Sequence, residues 1–142
     1  MDIALLRKSL VKAIESARRD AGERRQRADA AGRQYTRFLE QTATPVFRAM
    51  ATALRGEGLL FDVMTPSGGV RLVPERSRED GIELVLDPTV DPPQPLVRVV
   101  RSRGSRVTQH ERPVAGPVRT DALTEDHVAA MLLDELRPWL ER

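Results

Sequence analysis

The apolar residues of the first forty positions fall on one line. Ile3, Arg7, Leu10, Ile14, Ala17, Ala21, Arg24, Ala28, Ala31, Tyr35 and Phe38 follow at alternating steps of three and four. That spacing puts side chains on one face of a helix, and over several heptads it is the spacing of a helix that pairs with another. No proline occurs from Asp2 to Gln41. The line is uneven in bulk. Leu5, Leu6, Leu10, Val11 and Ile14 load its start and Tyr35, Phe38 and Leu39 its end, while ARRDAGERRQRADAAGRQ (17–34) holds no apolar side chain larger than alanine. Gly22 and Gly32 each weaken a helix by about 1 kcal/mol relative to alanine. The competing expectation is therefore a helical hairpin broken near Gly22.

Beyond this line the pattern shortens and then changes period. Thr44-Pro45 reads as an N-cap followed by proline at the first helical position. A second helix follows with Phe47, Met50 and Leu54 on one face and Gly56 or Gly58 as its stop. LLFDVMT (59–65), the turn PSGG (66–69) and VRLVP (70–74) predict a hairpin. GIELVLD (81–87) alternates as a half-buried strand. The prolines of DPTVDPPQP (87–95) predict a loop, because proline brings no backbone donor. LVRVVRS (96–102) and SRVTQHER (105–112), flanking Arg103-Gly104, predict a second hairpin. A last helix starts after Thr124 as N-cap, with Leu123 and Val128 at staple positions and Val128, Leu132, Leu133, Leu136, Trp139 and Leu140 as its apolar face. Pro138 predicts a kink or a loose final turn. The expected fold is α+β: a long first helix, a second helix, an antiparallel sheet of about five strands and a C-terminal helix packed on one sheet face. Residues 1–42 form an arm and residues 43–142 the α+β domain.

Length gives the arm its interest. An unbroken helix of about 40 residues is roughly 60 Å long, whereas a compact domain of this chain length is roughly 40 Å across. Such a helix overhangs its own domain and needs cover. Pairing with a second copy supplies it, with Ile3, Leu10, Ile14, Ala17, Ala21, Ala28, Ala31, Tyr35 and Phe38 as the interface. Leu10 and Ile14 of one chain then meet Tyr35 and Phe38 of the other, and Arg24 meets Asp20 or Glu23. Helices around a small antiparallel sheet in a dimer are loosely similar in architecture to secretion chaperones, and no motif extends that likeness.

Composition narrows the chemistry. The chain has 142 residues, 40% apolar and 31% charged, with no cysteine, so disulfides, thiolate catalysis and cysteine metal sites are excluded. No apolar run reaches the roughly 18 residues that span a bilayer, and the start MDIALLRKSL lacks the apolar core of a signal peptide. A cytoplasmic protein is expected. Arginine outnumbers lysine 21 to 2 and asparagine is absent, the signature of a GC-rich, bacterial-type coding sequence. The only histidines, His110 and His127, lie in no nucleophile motif. Asp121, Glu125, Asp126 and His127 could be grouped as metal ligands, but acids at a helix start complement its dipole without any metal. GEG (56–58) lacks the third glycine and the preceding strand of a dinucleotide fingerprint. No cofactor is expected, and nothing marks an enzyme.

Charge is unevenly placed. Residues 1–42 carry ten Lys/Arg against six Asp/Glu, and residues 114–142 three against six. In the arm, arginines and acids interleave as on a solvated helix with i,i+4 pairs. On the second hairpin, Arg98, Arg101, Arg103, Arg106 and Arg112 cluster with His110, and no acid occurs from Pro92 through His110. These arginines are candidate phosphate contacts, with Arg98 and Arg106 on facing strands. The hairpin has no aromatic residue for base stacking. The leading expectation is a non-catalytic, self-associating adaptor or chaperone-like subunit. Its alternative is binding of a nucleic-acid backbone through the 98–112 hairpin.

Overall fold

A computed structural model describes residues 1–141. Helix α1 runs from Ile3 to Phe38 without a break, and the Asp2 carboxylate accepts the backbone N–H of Ala4 at 2.9 Å to cap it. Gly22 neither breaks nor ends it. The helical path then continues into α2 (Thr44–Gly56) through one π-turn, Leu39–Ala43. Here the expected N-cap is corrected. Thr44 is helical, and its N–H reaches back five residues to the Leu39 carbonyl. Pro45 is the physical reason. It has no N–H to give, and its ring would crowd the carbonyl four residues earlier, so the chain widens into a π-turn at this point.

Five strands follow: β1 (Phe61–Met64), β2 (Val70–Pro74), β3 (Gly81–Asp87), β4 (Gln94–Arg103) and β5 (Arg106–Arg112). They form one antiparallel meander in chain order. Strand β4 starts earlier than its prolines suggest, with Pro95 opposite Leu86. Pro95 is tolerated because β5 pairs only as far as Val97, leaving β4 without a second neighbour there. Helix α3 (Glu125–Leu140) closes the chain and passes through Pro138. Its N-terminus is a capping box in which Thr124 Oγ1 accepts the His127 N–H and His127 Nδ1 accepts the Thr124 N–H at 3.0 Å.

From β1 to β4 the strands alternate, except that Val73 of β2, on the opposite face, is fully buried as well. Phe61, Val70, Leu72, Ile82, Leu84, Val97 and Val99 share one buried face with Tyr35 and Phe38 of α1, Phe47 and Leu54 of α2, and Val128, Met131, Leu132, Leu136 and Trp139 of α3. Trp139 stands edge-on to Phe61 with ring centroids 6.0 Å apart. Leu86 packs at the margin of this core. The opposite face carries a row of alternating charge in register, Arg71, Glu83, Arg98 and Glu111, one from each of β2 to β5. Arg71 lies 3.7 Å from Glu83 and Arg98 lies 3.5 Å from Glu111. Opposite charges directly across strands stabilise a solvated face.

Tyr35 ties α1 to the sheet. Its phenol donates to the Gly68 carbonyl at 2.7 Å, in the β1–β2 turn where Gly68 adopts φ +76. Burial pushes that phenol well above the usual tyrosine range, so it remains a donor. The neighbouring Gly69 has no room for a side chain, since a Cβ there would lie 2.7 Å from the Leu84 carbonyl oxygen.

Leu136 is fully buried in the middle of this core. Leu136→Ala is expected to cost about 2–5 kcal/mol, read from the shift in denaturant midpoint. A cost below about 0.5 kcal/mol would place α3 outside the core.

Candidate functional site

The stripe of α1 meets two environments. At its C-terminal end Ala31, Tyr35 and Phe38 are buried in their own domain, Tyr35 and Phe38 being only 3% and 5% exposed. From Ile3 to Asp29 no side chain is buried. Ile3 is 77% exposed and Leu10 56%, and Leu5, Leu6, Val11 and Ile14 are exposed as well. The free segment therefore presents a run of large apolar side chains followed by Ala17, Ala21 and Ala28. Tyr35 and Phe38 are already occupied in the core, so a partner's Leu10 and Ile14 cannot rest on them. The interface residues left accessible are Ile3, Leu10, Ile14, Ala17, Ala21 and Ala28.

The arm's arginines also behave differently from the sequence expectation. The ion pair that α1 makes among the described residues is not along the helix but across to the β3–β4 loop, where Arg27 meets Asp91 at 2.9 Å. The hydrogen bonds from Arg27 hold the Asp91 carboxyl below the usual range, and the same contact raises Arg27. At the end of β3, beside that loop, Asp87 is held low by the Thr89 hydroxyl and N–H, which it accepts at 2.6 and 2.9 Å. Arg24 forms no ion pair with Asp20 or Glu23 among the described residues.

Two hollows flank the base of the arm. One, about 490 Å³, lies between Arg27, Ala30, Ala31 and Gln34 of α1 and the loops at 92–95 and 113–120, with Leu123 at its margin. Its loop wall is rich in proline: Pro92, Pro93, Pro95, Pro113 and Pro117. The other is shallower and lies on the opposite flank, beside Asp29, Gly32 and Thr36.

The arginine hairpin is more neutralised than its sequence suggests. Arg98 faces Glu111, and Arg106 faces Arg103 rather than Arg98. Arg112 reaches Glu135 and Asp134 of α3 at 3.4 and 3.7 Å, and His110 Nε2 lies 2.8 Å from Glu135. Arg101, Arg103 and Arg106 have no acidic partner among the described residues. Arg101 and Arg103 border a small hollow with Pro138 and Glu141. No group of three or more metal-capable side chains converges among the described residues. His127 is engaged in the α3 cap instead.

Sequence reasoning did not find the Tyr35–Gly68, Arg27–Asp91 or Glu135 contacts. Each joins elements distant in the chain, and a lone acid in a proline-rich loop carries no local cue. A comparison with protein-family models, with curated proteins and with solved structures finds no match.

Two outcomes follow from these charges. Asp91→Asn should lower stability at pH 7. Because the folded carboxyl is held low, its contribution is present above the ordinary aspartate pKa of about 3.9 and fades as pH falls through the lower folded value. The stability gap between wild type and Asp91→Asn should therefore close on acidification toward that lower value; a gap independent of pH contradicts the contact. For the hairpin, three unpaired arginines allow at most about three phosphate contacts, so a log K against log salt slope no steeper than about −2.7 on duplex DNA is expected. A steeper slope that Arg101→Glu with Arg103→Glu removes would show a larger nucleic-acid surface there.

Proposed function

We propose that the protein is a non-catalytic, self-associating adaptor or chaperone-like subunit that works through protein–protein contacts. The observation that carries this reading is the free segment of α1, which holds six large apolar residues from Ile3 to Ile14, all of them exposed. Exposed apolar patches of this kind mark interaction sites. Helices without tertiary packing are marginal in water and draw most of their stability from a buried face. Gly22 and Gly32 add to that marginality. A second copy supplies an identical stripe with the same heptad spacing, so one association covers both arms and leaves the sheet domains outside, free to bind a further protein. Among the described residues no helix is long and apolar enough to cross a membrane.

Phosphate-backbone binding is the second reading. It is favoured only by the unpaired Arg101, Arg103 and Arg106, and it lacks stacking residues.

Sedimentation equilibrium at micromolar concentration is expected to give about twice the chain mass. Leu10→Glu, which puts a charge on the exposed stripe and touches nothing in the core, is expected to return the monomer mass without lowering the denaturant midpoint of the isolated domain signal from Trp139. A wild-type monomer throughout this range removes the self-association reading.

A further inference from the structure

The free arm has a register written into it. If two arms run antiparallel about a two-fold axis, residue i faces residue j with a constant sum. The stripe is symmetric about the point between Ile14 and Ala17: the facing pairs are Ile3 with Ala28, Arg7 with Arg24, Leu10 with Ala21, and Ile14 with Ala17. Each large apolar residue of the stripe, Ile3, Leu10 and Ile14, then lies on an alanine of the other arm. This is the interdigitation of large and small side chains that close packing requires. In a parallel pair the large residues would crowd together at one end and the alanines at the other. The Arg7–Arg24 layer sets like charges together. Polar residues at such core positions fix register at a cost in stability.

The length of the free segment points to the same register independently. Burial begins after Asp29, where α1 enters its domain. Full overlap of two segments running from Ile3 to Asp29 places the tip of each at the shoulder of the other, within a residue of the register set by the stripe. Flank matters too. Leu6, Ala13, Asp20, Arg27 and Gln34 are spaced by sevens and lie along one flank of α1. A two-fold axis perpendicular to both helices brings like flanks together. Leu6 of one copy therefore arrives on the Arg27–Gln34 flank of the other, the side that opens into the 490 Å³ hollow.

We infer that this proline-walled hollow at the base of the arm is the receptor for the arm tip of a second copy, with Leu6 as the inserted side chain beside Arg27, about one helical turn short of Ala30. The inference rests on the self-association reading and specifies its geometry. The hollow offers apolar walls at Pro93, Pro95 and Val114, and Leu6 is 51% exposed in the free arm. The Arg27–Asp91 pair at its edge holds one wall in place.

The chain has no cysteine, so paired substitutions report directly. Leu6→Cys and Ala30→Cys are prepared separately, mixed as refolded dimers and treated with a short bismaleimide. These two positions are roughly 36 Å apart along one helix, so no link forms within a chain. The expected result is a covalent dimer in the mixture and none with either variant alone. Linking of each variant to its own kind shows a parallel pair and overturns the inference. A dimer by sedimentation with no cross-link in the mixture, as in a shorter overlap with Ile3 against Ala21, also overturns it while leaving self-association standing. A monomeric mass for the untreated protein removes both.

Discussion

The rotation at which α1 commits Tyr35 and Phe38 to the core fixes where Ile3, Leu10 and Ile14 lie. A seven-residue stripe drifts around a straight helix by a set amount, about 20° per heptad, and that rotation is pinned where Tyr35 donates to the Gly68 carbonyl. That bond and the packing of Phe38 fix the rotation of α1 about its axis. Everything at the far end of the arm inherits it: which residues are presented, which flank faces the 490 Å³ hollow, and where a second copy can approach. The remainder of the fold supports this anchor. The π-turn before Pro45 redirects the chain so that α2 covers the sheet, and α3 completes the core around Leu132, Leu136 and Trp139.

The sheet separates two electrostatic habits. On its open face charges alternate strand by strand, from Arg71 through Glu83 and Arg98 to Glu111. On its covered face the apolar core ends at β4, and β5 instead presents His110 and Arg112 to Glu135 of α3. Two of the hairpin's five arginines, Arg98 and Arg112, are thus engaged within the domain, while Arg101, Arg103 and Arg106 have no acidic partner among the described residues.

Much of this was legible in the sequence. Periodicity located the three helices and all five strands, because a 3.6-residue or two-residue repeat is a direct record of which face is buried. The capping Thr124 was equally visible. Three features were not. Thr44-Pro45 has the local chemistry of a helix start, and only the helical stretch before it converts the site into a π-turn. Pro95 belongs to a strand because of what β5 fails to reach. The stripe from Ile3 to Phe38 looks uniform, yet its last three members are core and its first ones are free, a division set by where the domain begins and not by any residue type. The long-range contacts of Arg27 and Glu135 within the chain escape pattern reading for the same reason, since their partners are distant in sequence.

The central claim is that residues 3–28 are held by a second copy rather than by their own domain. Backbone hydrogen exchange across that segment, followed as protein concentration is lowered, tests it most directly. The account predicts amides from Ile3 to Ala28 protected at high concentration and exchanging rapidly at low concentration, while those of Leu132 and Leu136 stay protected throughout. Rapid exchange of the arm at every concentration, or protection that dilution does not change, would contradict it.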